Sequence, residues 1–169
     1  MGSIWSQTCS IGRRPPLRGH LKTQAAVVGA GMAGVLTAYA LQQAGLSVVV
    51  LEAGRIAGGQ TQNTTAKITS QHGLIYSRLI QSFGEETARR YAKANQDAVR
   101  AYQDLIDVQG ISCDWEERCA YLYGPDVTVL QEEAEAARRL GLPEEIIDRA
   151  AARLDAENVR FEDVLTRLD

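Results

Sequence analysis

The chain has 169 residues, the size of one domain, with 45% hydrophobic and 23% charged residues, ordinary values for a protein that buries a core. A net charge of −3 leaves no electrostatic footprint for nucleic acid, and no run approaches the roughly 20 apolar residues of a membrane span. Three cysteines, Cys9, Cys113 and Cys119, are odd in number and lack a repeated metal spacing, which favours idle thiols in a reduced, cytoplasmic compartment over a disulfide scaffold.

Residues 1–23 carry Arg13, Arg14 and Arg18 but no apolar core of a secretory signal, and Pro15-Pro16 predicts an extended arm. Trp5 marks part of that arm as a docking segment. The organising stretch follows. Ala25 to Val28 is a short apolar run ending in glycine, expected to be a parallel strand buried on both faces. Gly29 allows a tight turn, Gly31 a close approach of the backbone to a pyrophosphate, and Gly34 close packing of the following helix on the sheet. That helix is predicted over Met32 to Ala44, with Gly45 as its stop, and its N-terminus favours phosphate through free N–H groups and the helix dipole.

Ser47 to Leu51 reads as the second strand, closed by Glu52 about 20 residues beyond the glycines, where an acid meets the hydroxyls of an adenosine ribose and repels a 2′-phosphate. NADP is therefore disfavoured. A tight turn without a ligand would account for Gly29 and Gly34 but not for Glu52. Gly54 to Tyr76 forms a polar loop rich in glycine and hydroxyl groups; placed after the second strand, it is expected to face a cofactor, the alternative being a solvated turn.

Ile75 to Ser82 comes next. After Gly84 a long amphipathic helix is predicted, with Ala88, Tyr91, Ala92, Asn95, Ala98, Val99, Tyr102, Leu105 and Ile106 on one face. Glu85 and Glu86 in its first turn and Gly110 after its end fit helix polarity. Ile111 to Tyr123 has strand texture and reads as a hairpin. A second helix is expected from Asp126 to about Leu140, with Glu132, Glu133 and Glu135 on its solvated face. Gly141-Leu-Pro breaks it, Glu144 to Leu154 resumes a helical pattern, and Val159 to Leu168 is ambiguous. His20 and His72 lack partners at metal-ligand spacing, so no metal site is expected, and no Ser/His/Asp order suggests a hydrolase.

The run Gly29-Ala-Gly-Met-Ala-Gly through Glu52-Ala-Gly-Arg, then Gly58-Gly-Gln-Thr and Thr64-Thr-Ala-Lys-Ile-Thr-Ser-Gln-His-Gly, resembles FAD-dependent oxidoreductases of the D-amino-acid oxidase/glycine oxidase superfamily. The subgroup it resembles often carries a C-terminal Rieske iron–sulfur domain, and a weaker similarity runs from Ser3 to about Pro143. The resemblance implies a Rossmann-like α/β fold, a βαβ unit with additional helices and a small strand region. It divides the chain into the arm 1–23, the N-terminal part of an FAD-binding domain at 24–143, and a helical tail at 144–169.

The implied cofactor is FAD. Its contacts would be Gly29, Ala30, Gly31, Met32, Ala33 and Gly34 at the pyrophosphate, Glu52 and Ala53 at the ribose, Arg55 near the adenine, and Gly59, Thr61, Thr64, Thr65, Ala66 and Lys67 toward the flavin. Some relatives attach flavin through a histidine just after the glycine pair. Position 63 is Asn here and His72 lies further on, so covalent attachment is not expected and His72 is read as packing or loop support.

The family completes its flavin site with a later segment, so the chain reads as a fragment whose C-terminal portion, or a partner chain, supplies the rest. No Cys-x-His with a later Cys-x-x-His is present for a Rieske cluster. The leading reading is an oxidoreductase removing a hydride equivalent from an amine or amino-acid C–N bond of a small-molecule substrate, with catalytic residues unassigned. Alternatives are an NAD-binding dehydrogenase or sensor domain and a non-catalytic remnant.

Overall fold

A computed structural model describes residues 3–146. The chain divides between Lys67 and Ile68 into two units. The first opens with a short helix, α1, Ile4–Thr8, followed by irregular backbone that reaches strand β1, Ala25–Val28. Helix α2, Met32–Gln43, leads to β2, Val48–Leu51, which pairs with β1 in parallel from Ala25↔Val48 to Val28↔Leu51. The ladder is extended at the far end by Gly29 N–H donating to Leu51 O (2.7 Å) and pinned at the near end by Thr23 Oγ1 donating to Ser47 O (2.7 Å).

Gly34 is required by packing: a Cβ there would overlap the carbonyl oxygen of Gly29. Gly45 adopts φ +85°, and the N–H groups of Gly45 and Leu46 return to Gln42 O and Leu41 O, closing α2.

The expectation of strands buried on both faces is corrected. Among the described residues the sheet has two strands; β1 alternates half-buried and exposed positions, and Val28 is 84% exposed. Burial on both faces needs covering layers on both sides, and within this unit α2 is the helix that packs on β1 and β2. Lys67 to Ile75 is irregular, and a 3₁₀ turn, Gln60–Asn63, interrupts the polar loop.

The second unit contains α3, Tyr76–Phe83, α4, Glu85–Gln109, and α5, Val127–Arg139. Its core is Tyr76, Ala88, Ala92, Ala136, Ala137, Leu140 and Leu142, with Leu79 and Ile80 packed against it. Alanines at the crossings let the helices approach closely, and Tyr76 fills the remaining space edge-on to Tyr91, ring centroids 6.4 Å apart. Gly110 ends α4 in the left-handed conformation, and Asp126 caps α5 by accepting from Thr128 and Val129 N–H.

Two sequence expectations fail here. Glu133 is not on a solvated face: it is 3% exposed. Its Oε1 accepts from Ile75 N–H and Tyr76 N–H (2.8 Å each) and from Gln71 Nε2 (3.3 Å), and its Oε2 accepts from Ser77 N–H (2.9 Å). The start of α3 has no side-chain cap of its own, so its unsatisfied N–H groups find an acceptor on another helix. Glu132 and Glu135 do remain exposed.

The hairpin over 111–123 is absent: the segment is irregular, with Asp114 at φ +51°. An isolated two-stranded hairpin is marginal in water without a face to bury, and Ile111, Leu122 and Tyr123 are exposed. The helical pattern expected from Glu144 falls, beyond Ile146, outside the described residues, as does the run Val159 to Leu168.

Candidate functional site

The site is built at the C-terminal end of the parallel pair, where β1 turns into α2 and β2 enters the polar loop. Gly29 leaves the strand at φ +99°, a conformation that disfavours any side chain. Gly31 is the N-cap of α2 in extended backbone and offers no side-chain cap, so the first N–H groups of the helix point outward without intrahelical acceptors.

A Cβ built on Gly31 meets nothing nearer than Thr61 Oγ1 at 3.4 Å. The chain's own packing therefore does not demand glycine there, and the space beside Gly31 is open to a ligand. Gly34 is the opposite case, since its missing side chain serves the fold.

Glu52, at the end of β2, is held by backbone donors. Ala30 N–H reaches Oε2 and Gly54 N–H reaches Oε1, each at 2.8 Å. The hydrogen bond from Ala30, then that from Gly54, lowers the carboxyl pKa below its ordinary value against a smaller desolvation effect, with Ala53 adding a weaker pull in the same direction. These bonds hold the carboxylate in place and extend its ionised range to lower pH. A carboxylate offers about four lone-pair sites, so acceptor capacity remains for ligand hydroxyls. The same bonds tie the glycine turn after β1 to the end of β2.

The polar loop folds back on this frame. Ala57 N–H donates to Ala30 O (2.9 Å), and Thr61 Oγ1 accepts from Met32 N–H (3.0 Å), capping α2 from outside. Gly58 follows a turn in which its N–H meets Arg55 O, and a Cβ on Gly58 would lie 2.8 Å from Arg55 Cβ. Ala57 and Ala66 both take φ +55°, backbone strain of a kind that concentrates at ligand sites.

Of the residues singled out from sequence, the structure brings together Gly29, Ala30, Gly31, Met32, Glu52 and Thr61. Ala33 and Gly34 continue into the first turn of α2, and Ala53 follows Glu52 in the turn to Gly54. Gly59 caps the 3₁₀ turn and receives the Asn63 amide. Arg55 and the run Thr64, Thr65, Ala66 and Lys67 are exposed. Thr61 sits on the start of α2, its Oγ1 accepting from Met32 N–H. Sequence reading missed Gly54 and Ala57. Gly54 had a signal, since a glycine two residues after an acid suits a turn closed by that acid; Ala57 had none.

His72 Nε2 lies 3.4 Å from Asn95 Oδ1 in the second unit. Among the described residues no helix is long and apolar enough to cross a membrane, and no group of three or more His, Cys, Asp or Glu is placed to hold a metal ion.

A family model described as "FAD dependent oxidoreductase" (DAO) matches residues 24–166. The chain belongs to the DAO family of FAD-dependent oxidoreductases. This family membership places the βαβ unit in a Rossmann-like α/β fold. The DAO-family chain is 36% identical over 148 residues to the Bacillus subtilis protein YhfW, which is named for a Rieske 2Fe-2S centre; the match covers 86% of this chain and 29% of YhfW. It is 28% identical over 138 residues to gamma-glutamylputrescine oxidoreductase of Escherichia coli, covering 80% of this chain and 32% of that one.

A third relative is the bifunctional tRNA 5-methylaminomethyl-2-thiouridine biosynthesis protein MnmC of Ectopseudomonas mendocina, 32% identical over 140 residues, covering 77% of this chain and 21% of the relative. The DAO-family chain thus spans about a third or less of the length of these curated relatives. No solved structure gives a significant match.

Proposed function

We propose that this chain is the N-terminal, FAD-binding portion of an oxidoreductase acting on the C–N bond of a small amine or amino acid, and that it holds FAD by the ADP half. The observation that carries the reading is the Glu52 carboxylate, held in place by Ala30 and Gly54 N–H beside a glycine whose open Cβ position the fold does not need. Membership of an FAD-dependent family supports FAD as the cofactor. The names of two relatives, gamma-glutamylputrescine oxidoreductase and the 5-methylaminomethyl-2-thiouridine protein, each contain an amine nitrogen on an alkyl carbon, which supports the substrate class. A cytoplasmic location and a further chain segment completing the flavin site belong to the same proposal.

In this reading Gly31 and the first turn of α2 hold the pyrophosphate by backbone and by the positive end of the helix, while the N–H groups of Gly29, Ala30 and Met32 are engaged by Leu51 O, Glu52 and Thr61 and shape the turn. Glu52 accepts the ribose hydroxyls and rejects a 2′-phosphate by charge. Thr61 keeps the start of α2 in place by accepting from Met32 N–H. FAD, when bound, supplies the hydride-accepting chemistry that no side chain can.

Titrating the purified chain with ADP, FAD and FMN tests this. ADP and FAD are expected to bind alike and FMN to be silent. Binding of FMN without ADP, or of none of the three, would refute the assignment.

A further inference from the structure

We infer that the N-terminal segment is a clasp on the cofactor loop, with Ser3 and Trp5 as positioning residues that hold Thr61 on the start of α2. Two independent side-chain donors leave α1 for the same stretch: Ser3 Oγ donates to Gln62 O, and Trp5 Nε1 donates to Thr64 O at 2.8 Å. Both acceptors lie in or just after the 3₁₀ turn Gln60–Asn63, where terminal carbonyls lack partners within the turn. A five-residue helix has no stability of its own in water, so α1 exists because of what it docks on, and its packing partner is that turn. Ser3 serves twice, since its Oγ also accepts from Trp5 N–H and so fixes where the indole begins.

From Thr64 the network runs inward. Thr64 N–H and Thr64 Oγ1 both return to Thr61 O, and Thr61 Oγ1 accepts from Met32 N–H at 3.0 Å. The path from Trp5 to the phosphate loop is therefore continuous: indole N–H, Thr64, Thr61, Met32. A contiguous hydrogen-bonded path of this kind can carry a perturbation at one end to the other. Beyond α1 the chain from Cys9 to Thr23 is irregular and largely exposed. The clasp is a property of the chain alone; its effect on nucleotide affinity rests on the FAD-binding reading above.

The test uses the full chain and three variants: Trp5→Phe, which keeps a ring and loses the N–H; Ser3→Ala with Trp5→Phe; and Ser3→Thr, which keeps a hydroxyl. Amide hydrogen exchange is read without ligand, and ADP affinity is read separately. In the double variant the Met32 and Thr64 amides should exchange on the order of 10-fold faster, the scale of losing one or two modest hydrogen bonds. The β1–β2 ladder amides of Val27 and Val50 should hold their protection, and Ser3→Thr should behave as the parent. ADP should bind a few-fold more weakly to the double variant. Unchanged exchange at Met32 and Thr64 overturns the clasp. Loss of ladder protection together with theirs, in Trp5→Phe alone, overturns it too, because the arm would then act on overall stability. If the parent fails to bind ADP, the cofactor reading falls while the exchange result still decides the clasp.

Discussion

Gly31 and Gly34 belong to one motif, and the structure separates their roles. At Gly34 a Cβ would overlap the Gly29 carbonyl, with Val27 Cγ1 3.5 Å away on the other side. Gly34→Ala must therefore push α2 off the sheet, and overpacking of this sort costs about 1–3 kcal/mol. At Gly31 the backbone has φ −78° and ψ −177°, which any residue adopts, and the nearest atom to a Cβ is Thr61 Oγ1 at 3.4 Å. Gly31→Ala should cost no more than about 1 kcal/mol, the scale of replacing a favourable N-cap residue by alanine.

Ligand binding should rank the other way per unit of stability lost. A methyl on Gly31 stands where a pyrophosphate oxygen would approach the backbone, so ADP affinity should fall at least tenfold in a protein that remains folded. Urea denaturation and ADP calorimetry on both variants give the two numbers. If Gly31→Ala binds ADP as the parent does, or Gly34→Ala is as stable as the parent, the division of labour between the two glycines is wrong.

Glu52→Gln should weaken ADP binding while leaving the spectrum of the fold intact; because Glu52 has its pKa lowered by Ala30 and Gly54 N–H, its contribution is present above the ordinary carboxylate range and is lost as pH falls through the lowered value, so ADP affinity measured against pH should decline only on the acid side. Glu133→Ala leaves the buried N–H groups of Ile75 and Tyr76 and the half-buried N–H of Ser77 without their acceptor, and should destabilise by at least about 1–3 kcal/mol, whereas a surface substitution such as Glu132→Ala should stay within about 0.5 kcal/mol in the same denaturation assay. Tyr76, whose hydroxyl donates to Ser70 O, has its pKa pushed up to about 12 mainly by burial. Its contribution is complete below the unfolded tyrosine value and fades as pH rises through about 12, so an absorbance titration should find one late-titrating tyrosine that Tyr76→Phe removes.

The strand, turn, helix and strand of the first unit were legible because their signals are local. Glycine sterics at Gly29 and Gly34, the apolar runs on either side and the acid at Glu52 each act within a few residues, and α4 announced itself through spacing, Glu85 and Glu86 at its start and Gly110 at its end. Glu133 was misread for the opposite reason. Its neighbours in sequence are acidic and solvated, while the donors that bury it lie on a segment far away in the chain. Periodicity describes a helix's own faces and says nothing of another helix's uncapped end. Thr61 was placed correctly in the loop, but its position on Met32 depends on how the loop folds back. The strand texture at 111–123 was real as composition, and composition alone does not supply a pairing partner.

Among the described residues the parallel sheet has two strands, so one edge of each meets no third strand. The strands here read Ala-Ala-Val-Val and Val-Val-Val-Leu, with no lysine, proline or inward charge within them. Those are the devices that ordinarily stop edge-to-edge addition. The outer edges of β1 and β2 are thus templates for another strand, and a second copy of the chain in concentrated solution offers one as readily as any intended neighbour. Concentration-dependent self-association, reversed by dilution and independent of nucleotide, is the solution behaviour to expect from this sheet.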